Sequence, residues 1–277
     1  MCLLPLDQVT YNNKSVSQYL ELWTTEKVRM SLNHWGRTPT LCGRFVMLRP
    51  TVIADIHDLA LAHDDPDTMK FFPYGIESEP PSRESVENAL RSERQVLTQI
   101  DVASDRIVGT TSMYNMDETH RRVTVGYTWI SAAVRGTVIN LESKLLLLEH
   151  IFGTLGATRA EFNADGLNIR SRRAILALGA TEEGHLRKHA RRRDGSWRTT
   201  VVFSVTDDDW PAVRANIESR ISQRCATGEY KEPVFGADGV ASGLLADEQQ
   251  RRTLLENRQM SFLKSESKIG RSIFCKG

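Results

Sequence analysis

One segment of the chain, residues 122–156, restricts the fold more than any other. It begins with a β-type stretch, Arg122–Ile130, and passes through a short loop into a long helix. The helix carries a stripe of apolar residues and then a terminating glycine: Leu141, Leu145, Leu148, Phe152, Leu155 and Gly156. Because another strand-like stretch, 159–164, follows directly, the segment predicts a parallel crossover onto a sheet.

The remaining patterns predict an α/β (α+β) domain around this unit, with a mostly antiparallel sheet. The predicted strands cover 45–48, 97–103, 107–115, 122–130, 159–164, 184–193 and 197–205. The predicted helices cover 52–62, a segment beginning at Ser82, 140–155, 168–178 and 210–221. A hydrophobic content of 40% is enough to fill the core of such a domain.

The patterns place this domain at residues 43–222 and leave two flanks. Residues 1–42 form an N-terminal extension in which 15–32 has the spacing of a short helix. Residues 223–277 are polar and glycine-rich, so we expect a disordered tail, with an amphipathic helix over 247–263 as an alternative.

Composition argues against several classes of protein. The chain has 36 Lys and Arg against 35 Asp and Glu, which disfavours a dedicated nucleic-acid or anionic-membrane binder. No apolar run approaches the roughly 18–20 residues of a membrane span, and the four cysteines lack zinc-site spacing. We expect a soluble cytoplasmic protein without a metal, existing as a monomer or homodimer.

The charges are nevertheless unevenly distributed. Residues 55–93 are predominantly acidic, whereas residues 159–198 are predominantly basic. Such a gradient suits a cationic ligand at one place and an anionic ligand at another, although on charge alone ordinary solvated surface is the preferred explanation. The basic run around 187–193 also suggests RNA binding, but only Trp197 offers a neighbouring aromatic ring for base stacking.

The loop Val134–Asn140 is the first candidate binding site. A loop that feeds a helix presents unpaired backbone N–H groups and the positive end of the helix dipole. No acid precedes Glu142 in the helix, so little there would oppose an anion. Every strand–loop–helix junction shares these N–H groups, so the loop alone is a weak signal of phosphate binding.

Together with its neighbours, this loop resembles the GNAT N-acetyltransferase superfamily, in particular its RimJ/RimL-type branch. The resemblance rests on 123–130, on 133–150, and on the downstream stretches 168–180, 183–187 and 194–204. It spans about residues 43–222. It implies central strands that splay apart and transfer of an acetyl group from acetyl-CoA to a primary amine of a small molecule or a protein N-terminus.

The resemblance also implies roles for individual residues. Ser171 would protonate the departing thiolate, and Asn168 would contact the cofactor arm. Structural roles explain these residues equally well, with Asn168 as a helix N-cap and Ser171 as a capping residue in the first turn. Glu118 and Tyr127 are further candidates for the acid–base work. The cofactor-binding residues would be Trp129, Ile130, Arg135, Gly136, Thr137, Val138, Ile139, Asn140, Asn168 and Ser171.

Two positions depart from the family pattern. Val138 stands where a glycine is expected, and its Cβ could crowd a pyrophosphate that the family's loop approaches closely. Thr124 stands where the branch often has a glutamate that could act as a base. These departures support an alternative hypothesis, a GNAT-like binding protein that has lost catalysis.

Overall fold

The computed structural model describes residues 34–72 and 80–227, together with the backbone of two short paired strands, β1 (Thr10–Tyr11) and β2 (Lys14–Ser15). The helix expected over 15–32, apart from the strand residue Ser15, lies outside the described residues. So do the helix expected over 247–263 and all of the tail after residue 227.

Eight strands form the main sheet in the order β3-β4-β5-β6-β7-β8-β10-β9. They are β3 (Leu41–Cys42), β4 (Val46–Pro50), β5 (Gln95–Asp101), β6 (Arg106–Asp117), β7 (Arg122–Ile130), β8 (Arg159–Asp165), β9 (Thr181–Arg191) and β10 (Trp197–Thr206). Neighbours are antiparallel except β7 and β8. This confirms the predicted α/β class and its parallel crossover.

Five α-helices flank the sheet in the described part of the chain. They are α1 (Ile56–Ala62), α2 (Arg83–Arg91), α3 (Ile139–Glu149), α4 (Ile169–Leu178) and α5 (Trp210–Ala226). A 3₁₀ turn, Ile53–Asp55, precedes α1, and a π-helical turn, His150–Thr154, replaces the expected last turn of α3. Helix α5 continues past residue 222, and β3 lies before residue 43, so ordered structure extends beyond both expected limits.

The helices cover the two faces of the sheet. On one face, α1 and α2 pack over Trp129, with Leu59, Met69 and Val86 buried in the same cluster. On the other face, α3 packs against α5, which also contacts α4 and β10. The fully buried side chains of Leu147, Leu148 and Ile217 belong to α3 and α5. The crossover from β7 to β8 therefore places α3 opposite α1 and α2.

A buried carboxylate fixes α3 to the start of the sheet. Glu142 in the first turn of α3 accepts hydrogen bonds from the backbone amides of Arg44, Phe45 and Val46 at 2.8, 2.6 and 2.8 Å. Burial raises the pKa of Glu142, while these amides act in the opposite direction. A Cβ at Gly43 would lie 2.4 Å from the carboxylate, so this close approach requires glycine there.

We expect Glu142→Ala to lower the free energy of unfolding by about 3 kcal/mol, because it leaves buried amide donors without an acceptor. Glu142→Gln, which keeps one acceptor oxygen, should lose less. Urea unfolding followed by circular dichroism measures both. Glu149→Ala is the matched control on the same helix, since Glu149 only pairs with the half-exposed Arg214 and should change stability by less than about 0.5 kcal/mol. Equal losses at the two positions would contradict this role.

Candidate functional site

The two central strands stay paired over only part of their length. The parallel register of β7 and β8 runs from Arg122↔Arg159 to Val125↔Phe162 and then stops. Beyond it, β7 remains paired to β6 and β8 remains paired to β10. Because each strand follows its outer neighbour, the two diverge around a central cavity of about 560 Å³. The expected splay of the central strands is confirmed.

A β-bulge shapes the cavity side of β7. Two residue steps on β6, from Thr110 to Ser112, face three steps on β7, from Trp129 to Gly126. The extra residue distorts β7, and Tyr127 there has φ +49°, a left-handed conformation that costs a non-glycine residue about 1 kcal/mol. The bulge thus holds Tyr127 in a strained conformation at the cavity wall.

Aromatic rings surround Tyr127. Its ring lies 5.1 Å from that of Tyr114 and 6.5 Å from that of Phe72, and the Arg94 guanidinium lies 4.1 Å from its centroid. Tyr114 hydrogen-bonds Asn163 on β8, and burial raises the Tyr114 pKa. The aromatic cluster therefore reaches from β6 across the gap to β8. Its packing makes Tyr127 part of the cavity wall.

The loop between β7 and α3 adopts a different conformation from the one that the glycine pattern implies. Gly136 has φ +78°, and a Cβ there would meet nothing within 4 Å. Val138 has φ −71° and ψ −18°, an ordinary helical conformation, and its side chain is fully buried. Neither Val138 nor the equally buried Ile139 lines the cavity. The left-handed position of the loop is thus Gly136, and the Val138 side chain packs into the core.

Two acids after α1 brace this loop. Asp65 pairs with Arg135, which also donates to the Thr68 hydroxyl at 2.7 Å. The Arg135 hydrogen bond holds the pKa of Asp65 below its usual range. Asp64 accepts hydrogen bonds from the Ser131 hydroxyl and from the amides of Ala132 and Ala133. Burial opposes the charged form of Asp64, but these donors outweigh it and lower its pKa.

This bracing engages groups next to Trp129 and Ile130, two of the predicted cofactor-binding residues. The Ala132 amide is bonded to Asp64 at 2.6 Å, and the Ser131 amide donates to Val108 at 2.8 Å. Several acids of the 55–93 segment are likewise engaged within the protein: Asp55 binds Arg49 at 2.7 Å, and Glu87 pairs with Arg83 and Arg91. These acids do not form a free surface for a cationic ligand.

The cavity wall is strongly basic. It contains Arg135, Lys144, Arg170, Arg173, Arg198, Arg220 and Arg224. Asp165 is the one acid among the described lining residues, and Arg192 binds it at 2.7 and 2.8 Å. Burial acts against the charged form of Asp165, but Arg192 and the Leu167 amide outweigh it and lower the pKa. An excess of positive charge in a cleft favours a polyanionic ligand.

Helices α4 and α5 complete the wall. The Asn168 side chain accepts the Ser171 amide hydrogen bond at 3.0 Å, so Asn168 is the N-cap of α4, and both residues line the cavity. Arg224 near the end of α5 donates to the Thr137 carbonyl at 2.6 Å. The loop before α3 is therefore held by the acids that follow α1 and by an arginine of α5.

Lys144 on α3 is the least expected residue in the cavity. Its side chain is 6% exposed, and its amine donates to the hydroxyls of Thr128 at 2.9 Å and Thr111 at 3.2 Å. These two hydroxyls lie 2.8 Å apart. Burial lowers the pKa of Lys144 to about 7. An amine on the wall is thus largely enclosed and partly unprotonated at neutral pH.

The structure brings together most, but not all, of the residues selected from the sequence. The selected residues that line the cavity are Tyr127, Trp129, Ile130, Arg135, Gly136, Thr137, Asn140, Asn168 and Ser171. Glu118 does not line the cavity. This exposed residue lies on the β6–β7 turn, at the end of β7 that is still paired with β8. The role predicted for Glu118 therefore has no support from the cavity, because its turn lies at the end of β7 away from the gap.

Lys144, Arg220 and Arg224 were missed from the sequence. Lys144 had a detectable signal, because it falls three residues after Leu141 and four before Leu148, within the inward stripe of α3. The arginines of α5 had none, since only the docking of that helix beside the loop before α3 brings them to the wall.

The described residues lack two features, a metal-binding cluster and a membrane-spanning helix. They contain no cluster of three or more His, Cys, Asp or Glu side chains suited to a metal ion. Within the same ranges, none of the helices combines the length and apolar character required to cross a membrane.

The sequence matches the family model of the acetyltransferase (GNAT) domain over residues 46–181. A candidate acetyltransferase from T. thermophilus is 34% identical, with 68% of this chain and 99% of that chain covered and a TM-score of 0.61. A GCN5-related N-acetyltransferase from Brucella melitensis is 23% identical, with 78% and 95% covered and a TM-score of 0.61.

Mycobacterium smegmatis RimJ in complex with CoA-disulfide is also similar. It is 19% identical, with 67% of this chain and 96% of that chain covered and a TM-score of 0.54, so it shares the fold. No curated protein gives a significant match to the sequence.

We expect Val138→Gly to destabilise the protein by about 3 kcal/mol, because it removes a fully buried side chain and adds a flexible residue beside α3. Urea unfolding measures the change. Gly136→Ala, at an open left-handed position, should cost only about 1 kcal/mol. A stability gain on Val138→Gly would show that the valine strains the loop.

The stability of the wild type should depend on pH through Lys144. Its pKa falls from 10.5 to about 7 on folding, so between these values the unfolded chain binds more protons and stability rises with pH. From pH 7 to 9, wild type should gain on the order of 2 kcal/mol relative to Lys144→Met. Urea unfolding at both pH values measures this difference. Lys70→Met, which removes an exposed lysine, should follow the wild type, and parallel behaviour of all three proteins would contradict the lowered pKa.

Proposed function

Because this chain belongs to the GNAT acetyltransferase family, we propose that it transfers an acetyl group from acetyl-CoA to a primary amine, on a small molecule or a protein N-terminus. The observation that carries the proposal is the basic cavity between β7 and β8. The RimJ/RimL-type branch, a cytoplasmic location and a monomeric or homodimeric state belong to the same proposal.

The diverging strands suit the arm of coenzyme A. Past the last pair, Val125↔Phe162, β7 and β8 no longer pair with each other. Strand groups without a neighbour readily pair with an extended amide-containing chain, and the pantetheine arm is such a chain. The arm would then run along the gap towards the bulge at Tyr127.

The loop before α3 suits the phosphates. Gly136, Thr137 and Asn140 line the cavity where the helix presents its positive end. Arg170, Arg173 and Arg224 add positive charge from α4 and α5. A polyanion at this place would be held by backbone amides and by guanidinium groups together.

The chemical step requires a neutral attacking amine, a polarised carbonyl and a proton for the leaving thiolate. Ser171 is our candidate for the proton donor, since its residue lines the cavity beside the N-cap Asn168. Tyr127 is the second candidate, from the opposite wall. Thr124 is buried and is not a lining residue, so it takes no part in the proposed chemistry.

A GNAT-like binding protein without activity is the alternative. It rests on crowding of the phosphate loop by Val138, and the inward orientation of that side chain gives crowding no support. The two functions differ in one measurable respect, since only the enzyme releases free coenzyme A in the presence of an amine.

We expect the wild type to bind acetyl-CoA with a micromolar Kd that weakens as salt is raised, in isothermal titration calorimetry. Val138→Gly, where it folds, should bind equally well. Arg170→Gln should weaken binding about fivefold by removing a phosphate partner, whereas Arg187→Gln, an exposed arginine outside the cavity, should not.

Transfer is measured by thiol release and by the mass of the product, with a panel of polyamines, amino acids, aminoglycosides and short peptides with free α-amino groups. Acetylation of any of these amines supports the enzyme. Binding without thiol release across the panel would favour the binding protein, and absence of binding would overturn both.

A further inference from the structure

The proposed reaction lacks a proton acceptor. An amine arrives at neutral pH as an ammonium ion, which must lose a proton before its nitrogen can attack the thioester. Asp165 is the one carboxylate among the described lining residues, and its ion pair with Arg192 keeps it charged and occupied. Glu118 lies away from the cavity, and Thr124 has no charge to offer.

Lys144 has the position that a proton acceptor needs. Its residue lines the cavity on α3, and its amine is hydrogen-bonded to Thr128, which follows the bulge residue Tyr127 on β7. Thr111 on β6 completes a triangle of one amine and two hydroxyls, with sides of 2.8, 2.9 and 3.2 Å. Hydroxyls can both donate and accept, so this triangle can pass a proton in either direction.

Among the residues that the structure describes, no acid forms an ion pair with Lys144. Burial is the cause of its lowered pKa, with no charged neighbour contributing. On its own helix, Glu142 is bound to the amides of residues 44–46. The titratable and charged groups that face the same cavity from the other elements are Tyr114, Tyr127, Arg135, Asp165, Arg170, Arg173, Arg198, Arg220 and Arg224. A buried lysine among bases and hydroxyls favours its neutral form.

We propose that Lys144, acting through the hydroxyl of Thr128, accepts the proton that the acceptor ammonium loses. This inference rests on the proposed acetyl transfer. An N–H bond of the ammonium breaks, and its proton passes to the Thr128 hydroxyl oxygen, while the hydroxyl's own proton passes to the Lys144 nitrogen. The freed amine forms the new N–C bond as the C–S bond of the thioester breaks. Ser171 protonates the departing thiolate and regains a proton from the acylated nitrogen, and Lys144 then returns the proton that it gained to water.

The proposal is tested on the amine of the panel that wild type acetylates fastest. Wild-type kcat should rise with pH through an inflection near pH 7, as Lys144 loses its proton. Lys144→Met and Lys144→Arg should both lower kcat about 100-fold and abolish this inflection. Methionine removes the charge and arginine keeps it permanently, so neither can cycle a proton.

Calorimetry separates this role from packing. Both Lys144 variants should bind acetyl-CoA within about threefold of wild type, and Lys70→Met should match wild type in kcat and in pH profile. Rescue of kcat by arginine would identify a fixed charge instead, and rescue by methionine would identify packing. Either rescue, or a wild-type kcat without an inflection between pH 6 and 8, would overturn the proposal.

Two further measurements test the proposal if the Lys144 variants do not fold or if the wild type acetylates no amine of the panel. Thr128→Val removes the relay hydroxyl at constant volume, and it should lower kcat at least tenfold; unchanged kcat would contradict the relay.

Competitive labelling with acetic anhydride at several pH values, without acetyl-CoA, follows the Lys144 amine directly by mass spectrometry. The Lys144 amine should titrate near pH 7. Transfer to no amine would overturn the proposed function, whereas transfer without dependence on Lys144 would overturn this inference alone.

Discussion

The short pairing of β7 with β8 is the constraint on which the rest of the structure depends. Both strands keep their ladders with their outer neighbours, β6 and β10, so they can separate at the centre without losing the sheet. The separation leaves backbone groups of two strands facing one cavity. The bulge at Tyr127 and the start of α3 both lie on the same side of the last pair, so the polar groups of the site gather where the sheet opens.

Acidic and basic side chains have different roles around the site: the acids stabilise its structure, and the bases face the cavity. Carboxylates are used internally: Asp64 and Asp65 brace the loop before α3, and Glu142 joins α3 to the start of β4. The bases of the wall remain in excess. The chain has a net charge of only +1, yet its cavity is strongly positive, because most acids near the cavity already have partners within the protein. Lys144 differs from Arg135 of the same wall, since burial rather than an acid governs its charge.

Periodicity predicted the elements well because it reports directly which face of a helix or strand is buried. The β7 strand and the α4 helix have the expected bounds to within one residue. Asn168 caps the N-terminus of α4 and Gly179 caps its C-terminus, as their residue types predict. Sequence patterns say less about the distance between elements. Glu118 was grouped with the site through its nearness to β7 in sequence, and α5 was left out although Arg224 reaches Thr137.

The sequence by itself determined the α/β class, the crossover and the loop that feeds α3, since all three follow from local patterns of apolar residues, glycines and caps. Only the tertiary structure decided what each polar residue does. Val138 stands where the family motif has a glycine, yet its side chain packs into the core. Lys144 sits on an apolar stripe, yet its amine reaches two hydroxyls in the cavity. The reason is physical: backbone pattern depends on neighbours along the chain, whereas burial, charge and proton affinity depend on what distant elements bring into contact.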